Sequence, residues 1–103
     1  MTPRFVLSPE AADDLVNIWQ YIREQSSVKL ADRVESVIRE KILFLARNPR
    51  TGHRRKELTD LPLRFFPVYL YLIVYRAEMK PLQVVAILHG KRDVESVLKD
   101  RLS

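Results

Sequence analysis

The sequence predicts an α+β fold, in which a helical hairpin packs on one face of an antiparallel sheet. Two amphipathic helical segments occupy the first half, and runs rich in β-branched and aromatic residues occupy the second half. Helices and strands that are segregated in this way are typical of the α+β class. The 103 residues are expected to form a single domain, residues 1–103, because no repeat, low-complexity tract or flexible linker interrupts them.

The first predicted elements are a brief strand and a helix. Residues 4–7 are apolar in the middle and precede Ser8, whose hydroxyl can cap the free amide groups of a helix. Pro9 suits the first helical position, and Glu10 meets the positive end of the helix dipole. Apolar residues at helical spacing then predict a helix that extends to about Glu24.

A second helix is predicted after Ser26 and Ser27, either of which can cap it. Its apolar stripe consists of Leu30, Val34, Val37, Ile38, Ile42 and Leu45. Asn48-Pro49 ends this helix, because proline disfavours the helical conformation of the residue before it. The short connection predicts that the two helices are antiparallel neighbours.

Three strands and a last helix are predicted in the second half. The strands cover residues 65–68, 71–76 and 82–88. Pro67 places the first strand at an edge or at a bend, since proline cannot donate a ladder hydrogen bond. Nearly every residue of the third strand is apolar, which predicts burial on both faces. Residues 94–102 form a short amphipathic pattern, with Asp93 as its predicted cap.

Composition excludes several classes of function. The absence of cysteine excludes a disulfide scaffold, thiol catalysis and cysteine-based zinc sites. His53 and His89 are too isolated to suggest a metal pair, so we expect neither a metal nor a cofactor. The longest apolar stretch, residues 68–75, cannot span a bilayer, and the N-terminal apolar run is too short for a signal peptide. We therefore expect a cytoplasmic protein with no membrane partner.

The charge of the chain is concentrated in its second half. Residues 1–46 carry six Lys/Arg against seven Asp/Glu, whereas residues 47–103 carry twelve against six. The excess of +6 in the second half suggests an acidic partner, either a nucleic acid or an acidic protein segment. The densest positive stretch is residues 47–56, whose five basic residues are most simply a solvated loop, with binding of an acidic protein tail or of DNA as the alternative.

Several motifs, taken in their order along the chain, resemble the ParE/RelE superfamily of bacterial toxins. They are Leu7–Ala11, Asn48-Pro49 with Gly52 and Arg55, Arg64–Val68, Tyr71, Tyr75-Arg76 and His89–Asp93. The resemblance covers essentially the whole chain and implies the toxin of a type II toxin–antitoxin system, which inhibits bacterial growth. It also implies a cognate antitoxin of the ParD type, with DNA contacted through the antitoxin complex.

Two branches of this superfamily share the fold and differ in their target. RelE-like members cut messenger RNA on the ribosome, and ParE-like members poison DNA gyrase. The nuclease branch has an arginine directly after the middle-strand tyrosine and a tyrosine in the C-terminal segment, where this chain has Leu72 and Leu98. Its arginine at the end of the last strand is matched by Arg92. The Phe-Pro-Val and His-Gly-Lys-Arg-Asp segments resemble the ParE branch, which implies a gyrase poison without an active site.

The alternatives and the implied site residues follow from this resemblance. A ribosome-dependent nuclease would use Arg64, Arg76, His89 and Arg92. A third alternative is a non-toxic nucleic-acid-binding module. For a ParE-like toxin, the expected gyrase-binding residues are Lys91, Arg92, Lys99 and Arg101. The expected antitoxin-binding residues are Trp19, Tyr69, Tyr71, Tyr75 and Arg55, because a tyrosine-rich face left uncovered would mark a partner site.

The sequence leaves two alternatives for the conformation of the chain after Val68. ParE-like chains often have a glycine directly after Pro-Val, where this chain has Tyr69. Residues 65–76 could therefore form two strands joined by a tight turn, or one long bent strand.

Overall fold

The computed structural model describes residues 4–102, which form seven helices and strands. They are β1 (Phe5–Leu7), α1 (Pro9–Gln25), α2 (Val28–Arg47), β2 (Leu63–Val68), β3 (Tyr71–Arg76), β4 (Leu82–His89) and α3 (Val94–Leu102). This order confirms the predicted α+β class, and the bounds agree with the prediction to within a residue or two.

Both helices of the hairpin begin at the predicted serine caps. The Ser8 hydroxyl accepts a hydrogen bond from the Ala11 amide at 3.0 Å, and the Ser27 hydroxyl accepts one from the Leu30 amide at 3.1 Å. The apolar stripes of the two helices then pack on the sheet and on each other. No helix within residues 4–102 is long and apolar enough to cross a membrane.

The four strands form one mixed sheet in the order β1-β4-β3-β2. Antiparallel pairing joins β2 to β3 and β3 to β4, as predicted. Strand β1, whose pairing the sequence did not predict, joins this sheet in parallel with β4 over Phe5–Leu7. A parallel pair needs a long crossover, and here the chain between the two strands includes the whole helical hairpin.

Residues 69 and 70 form a tight turn between β2 and β3, so the long bent strand is excluded. Val68 pairs with Tyr71, and Tyr69 adopts a positive φ of 55°. A non-glycine residue in this region costs about 1–2 kcal/mol. The Gly90 amide donates to the Leu70 carbonyl at 2.8 Å, which ties the tip of this hairpin to the end of β4.

Strand β4 contains a β-bulge, because β3 pairs with Ala86 and then directly with Val84. The extra residue, Val85, shifts the alternation of side chains along the strand. Val84 and Ile87 therefore face the helical hairpin. The other face of the sheet carries a second core with α3, made of Leu63, Phe65, Val74, Val85, Ala86, Leu88, Val94 and Leu98.

Because α1 and α2 cover one face and α3 covers the other, the predicted uncovered tyrosine-rich face does not exist. Tyr75 is fully buried, with 0% of its surface exposed. It packs in the core beneath the helical hairpin and cannot contact a partner. This corrects its predicted antitoxin-binding role.

The buried Tyr75 holds the basic loop in place. This loop is the part of residues 47–56 that follows α2. Its hydroxyl donates to the Pro49 carbonyl and accepts from the Gly52 amide, each at 2.8 Å. Burial raises the pKa of Tyr75, and the hydrogen bond from Gly52 opposes this shift. A Cβ at position 52 would lie only 2.5 Å from the tyrosine oxygen, so this site requires glycine.

Two further contacts complete the attachment of this loop. His53 and Phe65 exchange backbone hydrogen bonds at 2.9 Å, which adds the loop to the edge of β2. The Arg64 guanidinium donates through Nη1 to the carbonyls of Gly52 at 2.7 Å and Arg50 at 3.3 Å. The loop is therefore held at its turn by side chains from β2 and β3.

Removal of the Tyr75 hydroxyl tests this attachment. We expect Tyr75→Phe to lower the free energy of unfolding by about 1–3 kcal/mol, because it leaves the buried Gly52 amide without a partner. Tyr21→Phe is the control, since Tyr21 is exposed and its change should stay within about 0.5 kcal/mol. Urea denaturation measures both; equal stabilities for the two variants would contradict the account.

Candidate functional site

A cleft of about 450 Å³ lies between α1 and the end of the sheet where β4 finishes. Its apolar lining comes from α1, the β2–β3 turn and β4. Its polar side chains come from α1 and from the end of β4 with the turn that follows it. The lining residues are Asp14, Asn17, Ile18, Tyr21, Leu70, Tyr71, Ile87, His89 and Arg92. No group of acidic and histidine side chains within residues 4–102 could hold a metal ion.

The cleft borders a stretch of β4 edge that no strand within residues 4–102 covers. Strand β1 ends at Leu7, and the chain turns into α1 after the Ser8 amide bonds to the Val84 carbonyl at 2.9 Å. Further along β4, the Ile87 amide donates to Oδ2 of Asp14 at 2.9 Å. A carboxylate on α1 therefore replaces the missing strand as the acceptor for this amide.

The same carboxylate forms a two-point ion pair with Arg101 of α3. Both guanidinium contacts, Nη1 to Oδ2 and Nη2 to Oδ1, measure 2.6 Å. Asp14 is only 6% exposed and the Arg101 side chain 17%. The hydrogen bond to Asp14 is the main cause that raises the pKa of Arg101. Arg101 thus anchors α3 within the fold, and the predicted target-binding surface does not include it.

The turn after β4 presents charged groups at the rim of the cleft. The His89 ring lies edge-on to the Tyr71 ring at 5.6 Å, and its Nδ1 accepts from the Lys91 amide at 3.1 Å. In the neutral tautomer that fits this contact, the His89 proton lies on Nε2, which makes no hydrogen bond within residues 4–102. The exposed Arg92 side chain makes no hydrogen bond or ion pair within residues 4–102.

Asp93 caps α3 as predicted. Its Oδ1 accepts from the Ser96 amide at 3.2 Å, and its Oδ2 accepts from the Ser96 hydroxyl at 2.9 Å. The first of these bonds is the larger cause that lowers the pKa of Asp93. The cap holds the start of α3 directly after the charged turn, so the position of the helix relative to this turn is fixed.

Tyr71 forms part of the cleft floor and stays protonated at neutral pH. Burial raises its pKa, and the nearby Tyr21 raises it further. Its hydroxyl is therefore a donor as well as an acceptor.

The four residues of the nuclease alternative are not brought together. Arg64 pairs across the sheet with Tyr75, and Arg76 ends β3. His89 pairs with Tyr71 at the other end of β3, about 16 Å from Arg76 at the rise of an extended strand. Arg64 is engaged with the basic loop. The fold thus separates the two arginines from His89 and Arg92.

Other predicted contact residues lie on separate surfaces. Trp19 donates from Nε1 to Asp32 at 2.8 Å and carries Arg23 over its ring at 5.5 Å, on the flank of α1 that faces α2. Arg55 pairs with Glu57 at 3.6 Å on the basic loop. These two residues therefore do not share one surface with the cleft.

The remaining predicted contact residues are exposed near the end of the sheet or on α3. Tyr69 is 61% exposed beside Leu70 at the hairpin tip. Lys91 is exposed in the turn after β4. Lys99 is exposed on α3, where it pairs with Glu95 at 3.4 Å.

The sequence pattern did not indicate the cleft residues on α1 or the pairing of Asp14. One signal could have found Asp14: it lies beside Leu15 and one turn from Ala11 and Ile18, on the buried side of the helix. A carboxylate in that position requires a cationic or amide partner. The partner, Arg101, is 87 residues away and carries no sequence signal of its own.

A family model for the ParE toxin of type II toxin-antitoxin systems, parDE, matches residues 5–94. The chain belongs to this ParE toxin family. Family membership implies a cognate antitoxin as a partner. A solved structure described as the chromosomal ParDE TA system from P. aeruginosa matches with a TM-score of 0.70 and 19% identity, over 85% of this chain and 96% of that one. At 19% identity, this similarity shows that the two chains share a fold. A search of curated proteins finds no significant match.

Arg101→Leu tests the ion pair of this ParE-family chain. We expect the variant to lose about 3–5 kcal/mol of unfolding free energy, because Asp14 then stays buried without its counter-charge. Adding Asp14→Asn should recover part of this loss. Lys99→Leu on the same helix is the control, with a change within about 0.5 kcal/mol for an exposed pair. Chemical denaturation that shows equal effects of the two leucine substitutions would refute the anchoring role.

Proposed function

We propose that this ParE-family chain inhibits bacterial growth by poisoning DNA gyrase in the cytoplasm, and that its cognate antitoxin neutralises it. The observation that carries the proposal is the family match over residues 5–94. The separation of Arg64 and Arg76 from His89 and Arg92 supports it, because a nuclease would need its cations around one phosphate. A gyrase poison needs a binding surface, and no catalytic group of its own.

The gyrase-binding surface that we propose combines the turn after β4 with the exposed side of α3. Lys91 and Arg92 extend from the turn, and Lys99 extends from the helix. This surface is rigid, since Asp93 caps the helix and Arg101 anchors its other end. Preorganised cations lose little conformational freedom when a partner binds, so they suit recognition of an acidic or DNA-bearing surface.

A gyrase cleavage assay tests this proposal. Purified chain without antitoxin should convert supercoiled plasmid to linear DNA in the presence of gyrase and ATP. Arg92→Glu should reduce this activity at least about tenfold, since reversal of a contacting charge costs more than about 1.4 kcal/mol. Arg33→Glu is the control, because Arg33 is also exposed and lies on α2. Unchanged supercoiling with the folded wild-type chain would reject gyrase as the target.

The cleft beside α1 is the antitoxin site that we propose. Its apolar and tyrosine-lined floor suits an amphipathic segment of the antitoxin, and Arg92 at the rim suits an acidic side chain of that segment. Because Arg92 also belongs to the proposed gyrase surface, an antitoxin bound in the cleft would cover part of that surface. This overlap gives a physical route to neutralisation.

Leu70→Asp tests the antitoxin site. Leu70 is 67% exposed at the mouth of the cleft, so its loss as an apolar anchor should weaken antitoxin binding about 30-fold. Met79→Asp is the matched control, because Met79 is 46% exposed in the other hairpin turn, away from the cleft. Calorimetric titration measures both affinities, and an equal loss in both variants would place the antitoxin elsewhere.

A further inference from the structure

A second groove, of about 420 Å³, lies at the end of the sheet that is remote from the cleft. Four cationic side chains line it: Arg50, Arg54, Arg64 and Lys80. Glu78 is the one carboxylate that the described residues contribute to this lining. None of the ion pairs formed within residues 4–102 involves any of these four cations. The groove therefore concentrates positive charge that the described part of the fold does not neutralise.

The cations of this groove are held by the attachment of the basic loop. Tyr75 fixes the backbone on both sides of Arg50 through its bonds to Pro49 and Gly52. The Arg64 guanidinium uses only its Nη1 for the loop carbonyls, so within residues 4–102 its other N–H donors stay available. A fork of this kind matches two oxygens of one phosphate.

We infer that this groove binds the phosphodiester backbone of duplex DNA. Among residues 4–102, its apolar lining consists only of Pro49, Pro62 and Ala77 and includes no aromatic side chain. A protein segment needs an apolar or aromatic anchor for useful affinity, which this groove does not offer. Phosphate binding needs only positioned cations and the release of counterions from the DNA.

The inference rests on the proposed function for its biological setting, since gyrase acts on DNA. The groove lies at the opposite end of β3 from Arg92, so one toxin could contact the enzyme through its turn and a DNA segment through this groove. Direct DNA binding can be measured without gyrase. Failure of the inference is therefore distinct from failure of the proposed target.

The test is the salt dependence of binding to a short fluorescein-labelled duplex DNA, measured by anisotropy between about 50 and 200 mM salt. Four phosphate contacts predict a slope of log K against log salt of about −3.6. Arg50→Gln with Lys80→Gln should make this slope less steep by about 1.8. Neither side chain makes a hydrogen bond within residues 4–102, so the fold should be preserved, which the melting temperature checks.

A matched pair of substitutions separates the groove from the general charge of the chain. Lys29→Gln with Lys41→Gln removes the same charge from exposed positions of α2 and should leave the slope nearly unchanged. Arg50→Lys with Lys80→Arg keeps the charges and should retain the wild-type slope. Equal changes in the two glutamine pairs would overturn the inference. So would tighter binding of a glutamate-rich peptide or of single-stranded RNA than of the duplex at the same salt.

Discussion

The carboxylate of Asp14 is the constraint on which the rest of this structure depends. Strand β1 is too short to cover β4, and the bulge at Val85 alters the pairing of β4 just where β1 ends. Asp14 accepts a hydrogen bond from the buried Ile87 amide and pairs with Arg101, so one side chain joins α1, β4 and α3. Without it, a buried strand edge would keep an unpaired amide, and α3 would lose its anchor over the second core.

This arrangement leaves the two ends of the sheet free for different chemistry. At one end, the cleft has an apolar floor with tyrosines and a cationic rim, which suits a protein partner. At the other end, a groove of guanidinium and ammonium groups suits an anionic polymer. The buried Tyr75 links the core to the second site, because its hydroxyl positions the loop that carries Arg50. The same packing thus determines stability and the placement of both surfaces.

Local signals were sufficient for the elements and insufficient for the contacts between them. Ser8 and Ser27 act as caps because capping depends on residues three positions away. The parallel pairing of β1, the burial of Tyr75 and the Asp14–Arg101 pair depend on residues that are distant in sequence. The alternating tyrosines of β3 suggested an open face, because a strand pattern cannot show that this face lies beneath the helical hairpin while α3 covers the other one. Family resemblance identified the type of toxin, and only the fold showed that Arg101 is internal.

Hydrogen exchange at the Ile87 amide tests the central role of Asp14 most directly. We expect this amide to exchange only when the whole chain unfolds, because it donates to a buried carboxylate that is itself paired. In Arg101→Leu the same amide should exchange faster in proportion to the lost stability. Rapid exchange of Ile87 in the wild-type chain, at the rate of an unprotected amide, would contradict the account, because the edge of β4 would then be open.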